Sequence, residues 1–97
     1  MRIAIIGGGI SGLTVAHGLV GRGHDVILVD PGAAPGGLIA SARVEGFLCE
    51  EGPQALLDGS AEVRALIAGA GLESRIVSAL PASRRRSIYV GGALRPV

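Results

Sequence analysis

The feature that most constrains this fold is a set of glycines between two short apolar segments. Gly7, Gly9 and Gly12 directly follow the apolar residues 2–6, and a second apolar segment spans 25–30. Short β-branched segments of this kind are typical of parallel strands buried on both faces. Between them, apolar residues recur at helical spacing, at Ile10, Leu13, Ala16, Leu19 and Val20. This order predicts an α/β fold that begins with a right-handed β-α-β unit.

The three glycines match the pattern G-x-G-x-x-G, which is informative where it joins a strand to a helix. Gly7 permits the tight turn, Gly9 leaves room for a pyrophosphate, and Gly12 allows helix and strand to pack closely. The phosphates would bind free N–H groups at the positive end of the helix. Asp30 can accept hydrogen bonds from ribose hydroxyls, and its charge disfavours a 2′-phosphate. A dinucleotide site explains these features better than turn formation alone.

Two hairpins are expected downstream of a loop over residues 31–37, which contains prolines and glycines. The first joins 38–44 to 47–51 around Glu45-Gly46, and the second covers 88–95 with Gly91-Gly92 at its turn.

A second helix is predicted over residues 60–70. Ser60 is its expected N-cap and Gly71 its C-terminal cap. Its apolar stripe comprises Val63, Leu66 and Ile67.

Composition favours one small domain. The chain has 97 residues, is 48% hydrophobic and carries a net charge of +1, which gives no electrostatic case for nucleic-acid binding. Its single cysteine, Cys49, predicts neither an internal disulfide nor a metal site, and a packing role on a strand is expected. No apolar run is long enough for a signal peptide or a transmembrane helix. These features favour a reduced, cytoplasmic protein in which His17 faces solvent.

Further motifs sharpen the prediction. "PGGL", "VEGFLCEEGPQALL" and "SIYVGGALRPV" together resemble the protoporphyrinogen oxidases of the flavin amine oxidase superfamily, and the resemblance covers essentially the whole chain. It implies FAD as cofactor, a porphyrinogen as substrate, oxygen as electron acceptor and a role in haem biosynthesis. It also implies which residues lie along FAD: Gly7, Gly8, Gly9, Ile10, Ser11, Gly12, Asp30, Pro31, Gly36, Gly37, Leu38, Gly52, Pro53, Gln54 and Ala55.

The chain departs from this family at three points. Ala34 stands where superfamily members commonly carry an arginine, which predicts weaker contact with the cofactor phosphates. Asp30 replaces the more frequent glutamate and is one methylene shorter. The family enzymes run to several hundred residues, so the 97 residues are expected to form an incomplete Rossmann-like domain without a substrate domain.

Other functions stay open at this stage. The same motifs suit an amine oxidase or a carotenoid desaturase, or a truncated nucleotide-binding module without catalysis. Residues 81–97 hold four arginines and no acidic residue. These arginines are expected to lie in a solvated loop. Alternatively, they bind the carboxylates of a porphyrin or contact an anionic membrane peripherally. No residue is assigned a catalytic role.

Overall fold

The computed structural model describes residues 1–57 and 59–97, with only the backbone of Arg84, and divides into two compact units, Met1–Ala61 and Glu62–Val97. The elements in chain order are β1 (Arg2–Ile6), α1 (Ile10–Val20), β2 (Asp25–Val29), β3 (Ser41–Val44), β4 (Phe47–Glu50), α2 (Ala61–Gly69), 3₁₀ turns at Glu73–Arg75 and Pro81–Arg84, β5 (Ser87–Val90) and β6 (Ala93–Pro96). The helix, strand and hairpin predictions are confirmed to within a few residues at their ends.

The first unit is built on a parallel pair of strands. β1 and β2 pair in register from Arg2 opposite Asp25 to Ile6 opposite Val29, and α1 connects them and packs on both. An exposed ion pair joins Arg2 Nε to Asp25 Oδ2 at 3.4 Å. Because both side chains are solvated, this pair contributes little to stability. The β-α-β unit read from the glycine pattern is therefore present.

The prediction that both faces of these strands are buried is wrong for the described residues. Ile3 and Ile5 of β1 are half-buried, whereas Ile6 is 88% exposed and Val29 of β2 is 51% exposed. Burial alternates along each strand because α1 covers one face of the sheet, and no described element of this unit covers the other. A sequence pattern that is typical of strands buried on both faces therefore forms, in this chain, a sheet with one exposed apolar face.

Part of the predicted stripe on α1 is also corrected. Leu13, Ala16 and Leu19 are half-buried as expected, but Ile10 and Val20 are more than half exposed. Both exposed residues lie at the ends of the helix. His17 is exposed, as predicted.

β3 and β4 form an antiparallel hairpin whose two-residue turn is Glu45-Gly46. Both turn residues have positive φ, +50° at Glu45 and +87° at Gly46, which a type I′ turn requires. Ser41 Oγ donates a hydrogen bond of 2.6 Å to Glu50 Oε2 across the strands. Cys49 is exposed, so the predicted packing role is wrong, because no described element covers β4.

The second unit contains α2 and the hairpin of β5 and β6. Val63, Leu66 and Ile67 are its half-buried residues on α2, which confirms that stripe. α2 begins directly after Ser60.

Gly71, with φ +68°, follows the end of α2, and the N–H of Leu72 bonds to the carbonyl of Ile67 at 3.0 Å, a C-cap pattern that confirms the predicted helix end. Gly91 and Gly92, both at positive φ, turn the second hairpin.

The basic C-terminal segment is structured rather than a loop. Residues 81–97 form a 3₁₀ turn and a hairpin, and the N–H of Val97 bonds to the carbonyl of Arg86 at 3.0 Å. Arg85, Arg86 and Arg95 are exposed, while the side chain of Arg84 lies outside the described residues. Within the described part of the chain, no helix has the length and apolar character needed to cross a bilayer.

Candidate functional site

The site begins at the turn between β1 and α1. Gly7, at φ +103°, donates its N–H to the carbonyl of Val29 over 2.8 Å and so continues the pairing of β1 with β2. Gly9 is the N-cap of α1 in an extended conformation and offers no side-chain cap, and its carbonyl accepts the N–H of Leu13 at 3.0 Å. The N–H groups of the first helical turn are not used by the helix itself. They are available to an anion at its positive end.

Gly12 and Gly9 meet different steric surroundings. A Cβ at Gly12 would overlap the carbonyl oxygen of Gly7, so the close approach of helix and turn requires glycine. A Cβ at Gly9 would have no neighbour within 4 Å, so the space beside this backbone is open. These surroundings agree with the roles expected of the last and the middle glycine of the pattern.

A second loop lies against the glycine turn. The N–H of Gly36 donates to the carbonyl of Gly8 at 2.8 Å, and Gly9 and Gly36 form an isolated parallel bridge. Gly36 and Gly37 have φ values of +129° and +61°, and a Cβ at Gly37 would lie 3.2 Å from the Cα of Gly9. Glycines at both positions therefore let two backbones approach.

The segment after β4 packs against the residues that follow Gly37. A Cβ on Gly52 would overlap the carbonyl oxygen of Leu38, and the N–H of Glu51 donates to the carbonyl of Ala40 at 2.8 Å. This packing carries Pro53 to the same place as the glycine turn.

These three segments border a cavity of about 500 Å³ that is widely open to solvent. Its lining comprises Ile6, Gly7, Gly9, Ile10, Ser11, Gly12, Gly36, Gly37, Leu38, Ile39 and Pro53. Nine of these residues belong to the predicted set, whereas Ile6 and Ile39 were missed. Ile6 is the last residue of β1, and the carboxyl end of a parallel strand is where ligands bind in α/β sheets, so its position carried the signal.

The remaining predicted residues do not line the cavity. Gly8 and Asp30 bond to each other, and Gly52 lies against the backbone of the lining residue Leu38. Pro31, Gln54 and Ala55 are exposed and are not among the lining residues, and their assignment stays a prediction.

The chemistry of the lining suits binding rather than proton transfer. Its side chains are aliphatic except for the hydroxyl of Ser11, and none of the lining residues is ionisable. Backbone N–H groups at the start of α1 supply its positive potential. Within the described residues, no group of three or more His, Cys, Asp or Glu side chains is arranged to hold a metal ion.

Asp30 bonds to two backbone segments through its two carboxylate oxygens. Oδ2 accepts the N–H of Gly8 at 2.5 Å, and Oδ1 accepts the N–H of Gly32 at 2.7 Å. The bond from Gly8, followed by that from Gly32, lowers the pKa of this carboxyl below its ordinary value, and these outweigh the opposing effect of partial desolvation. Asp30 is therefore ionised at neutral pH.

Comparison with known proteins places this geometry in a family. The chain is 34% identical over 96 residues to coproporphyrinogen III oxidase of Propionibacterium freudenreichii subsp. freudenreichii, an alignment that covers 99% of this chain and 18% of that protein. It is 29% identical over 89 residues to protoporphyrinogen oxidase 2, chloroplastic/mitochondrial, of Arabidopsis thaliana (92% and 17%). It is 46% identical over 52 residues to hydroxyneurosporene desaturase of Rubrivivax gelatinosus (54% and 10%).

The chain thus spans less than a fifth of the length of these relatives. The sequence profile of the NAD(P)-binding Rossmann-like domain matches residues 5–72, which include the end of β1, the glycine turn, α1, β2 and the two later segments that line the cavity. This match covers most of the chain and coincides with the segments that build the site. The chain belongs to the NAD(P)-binding Rossmann-like domain family.

Proposed function

We propose that this chain is the FAD-binding N-terminal portion of a porphyrinogen oxidase. The observation that carries the proposal is the cavity at the start of α1, where the open backbone at Gly9 faces the loop of Gly36 and Gly37. The names of the relatives that align with nearly the whole chain support the porphyrinogen oxidase class.

In this proposal the FAD diphosphate binds the N–H groups at Ile10, Ser11 and Gly12, where the helix end favours an anion. Asp30 receives the adenosine ribose hydroxyls on lone pairs that its bonds to Gly8 and Gly32 leave free. The bound flavin would supply the hydride-accepting chemistry that amino-acid side chains lack. Because the cavity lining offers no acid or base, its residues would bind and orient the cofactor and would not transfer protons.

Ala34 is the main departure from a strong site. A superfamily arginine at this position would add a positive charge beside the phosphates, and the alanine supplies none. We therefore expect the affinity for FAD to depend on backbone N–H groups more than on side-chain charge.

The substrate class is proposed from the extent of the matches. Relatives named as porphyrinogen oxidases align with 99% and 92% of this chain, whereas the desaturase aligns with 54%. A protoporphyrinogen or coproporphyrinogen substrate, oxidised with oxygen as electron acceptor, is therefore favoured over a carotenoid. The same proposal includes a cytoplasmic location. The C-terminal arginines are the residues that would make any peripheral contact with a membrane.

Titration of the chain with FAD, followed by quenching of flavin fluorescence, tests the cofactor. Gly9→Val is the informative variant: the backbone at Gly9 has φ −73° and ψ −178°, which valine adopts without strain, and the new side chain would fill open space beside the cavity. We expect this variant to fold and to lose FAD binding.

Gly18→Val is the matched control, because Gly18 lies on α1 outside the cavity lining and a Cβ there meets no atom within 4 Å. Equal FAD affinity of Gly9→Val and wild type would contradict the proposed site. NAD⁺ binding in preference to FAD would instead favour a nucleotide-binding module of another class. NADP⁺ serves as a negative control, since Asp30 disfavours a 2′-phosphate.

A further inference from the structure

Gly8 is the one buried residue in the described part of the chain, and both of its backbone polar groups are engaged. Its N–H donates to Asp30 Oδ2, and its carbonyl accepts the N–H of Gly36. The peptide groups of Gly8 therefore connect the end of β2 with the loop that forms the opposite wall of the cavity. Loss of the Asp30 carboxylate is therefore expected to shift the backbone of Gly36 through the two bonds of Gly8.

Each carboxylate oxygen of Asp30 lies close to the backbone of one glycine. A Cβ on Gly8 would lie 3.1 Å from Oδ2 and 3.2 Å from the Asp30 Cβ, and a Cβ on Gly32 would lie 2.8 Å from Oδ1. Both neighbours are glycine, so the carboxylate reaches two N–H groups directly. The bond to Gly32, two residues on, is an Asx turn, which an aspartate forms and a longer glutamate does not form in the same geometry.

We propose that Asp30 is a positioning residue that fixes the glycine turn and, through Gly8, the loop at Gly36 before any dinucleotide binds. This role concerns the ligand-free chain and goes beyond ribose recognition; only its effect on FAD affinity rests on the proposed function. Asparagine cannot replace the carboxylate, because it has one acceptor oxygen for two N–H donors and presents an NH₂ group to the other. One of the two backbone bonds must then be lost.

The test is NMR of the ¹⁵N-labelled, ligand-free full chain over an acid titration. In wild type we expect the amide protons of Gly8 and Gly32 to shift with a common midpoint below the ordinary aspartate pKa. In Asp30→Asn both should lose that titration. In Asp30→Ala, which removes both bonds, the Gly36 amide should move and hydrogen exchange at Gly8 should accelerate about tenfold or more. In Asp30→Glu the Gly32 titration should disappear.

Asp25→Asn is the matched control: it removes the same charge from β2 at an exposed ion pair and should leave Gly8, Gly32 and Gly36 unchanged. A wild-type Gly8 amide that does not titrate, or a titration that persists in Asp30→Asn, overturns the proposal, as does a Gly36 amide that is unaffected by Asp30→Ala. The wild-type titration is decisive even if a variant does not fold. If the ligand-free signature is present but the chain binds no FAD, the positioning role stands and the proposed function fails.

Discussion

Gly12 lies so close to the carbonyl oxygen of Gly7 that a Cβ at position 12 would overlap that oxygen. This contact sets the distance between the first turn of α1 and the end of β1. It also reverses the usual consequence of placing alanine in a helix.

Gly12→Ala is expected to destabilise the chain by about 1–3 kcal/mol, because the overlap forces the helix away from the turn. Gly18→Ala in the same helix should instead stabilise by roughly 0.5–1 kcal/mol, since its Cβ meets no neighbour and alanine is the better helix former. Urea unfolding of both variants measures the difference. Equal effects with the same sign would show that the contact of Gly12 with Gly7 is not a constraint.

Acid should destabilise the chain through Asp30. Its folded-state pKa is lowered below the ordinary 3.8 by the bonds from Gly8 and Gly32, so its contribution is complete above that value and is lost as pH falls through the folded pKa. We expect the urea midpoint of wild type to drop below about pH 4. The midpoint of Asp30→Asn should vary less over the same range, and an identical pH profile would remove Asp30 from the explanation.

Glu45 occupies left-handed backbone at φ +50°, which costs energy for a residue with an ordinary side chain. Glu45→Asn should stabilise the hairpin of β3 and β4 by roughly 0.5–1 kcal/mol, because Asn-Gly is the preferred pair in a type I′ turn. Glu45→Ala, which removes the same charge without relieving the backbone, is the control. Thermal unfolding that ranks alanine at or above asparagine would contradict this account.

Cys49 should react with a thiol reagent in the native chain at nearly the rate found in urea. Its position on β4 is exposed, and no described element protects it. Reaction with Ellman's reagent, with and without denaturant, measures the ratio. Strong native protection would show that β4 is covered in solution.

The chain with excess FAD should not oxidise a porphyrinogen faster than free FAD does. The residues proposed to hold the FAD diphosphate include no ionisable group that could orient or deprotonate a substrate. Anaerobically prepared porphyrinogen, mixed with chain and FAD in air and followed by porphyrin fluorescence, gives the rate. A rate clearly above the free-flavin reaction would place catalytic groups within these 97 residues.

The local structure could be predicted because each element carries its own chemical signature. Gly7 and Gly12 predict a strand, turn and helix, and Gly91-Gly92 predicts a hairpin turn. These positions need backbone conformations, or a close approach of two backbone segments, that a side chain would prevent. The half-buried residues Val63, Leu66 and Ile67 follow from helical spacing alone.

What could not be predicted depends on contacts between distant segments. The pattern of β1 cannot show whether a second layer is present, and one face proved open. Ile39 enters the cavity only because the chain folds back at Gly36, and the bond of Asp30 to Gly8 joins residues 22 positions apart. Neither contact has a periodic pattern in the sequence.

The open face of the sheet makes the stability of this chain a matter of mass action. Ile6, Ile27 and Val29 are each 40% exposed or more, and fully burying such a side chain is worth about 1.5–3 kcal/mol. Because the three side chains are already partly buried, covering them completely would add only about 3–5 kcal/mol in total, which compares with the roughly 5–15 kcal/mol that holds an ordinary domain folded. A polypeptide that bound this face would therefore raise the free energy of unfolding with the logarithm of its concentration over its dissociation constant, and a melting temperature measured in its presence would have meaning only at a stated concentration.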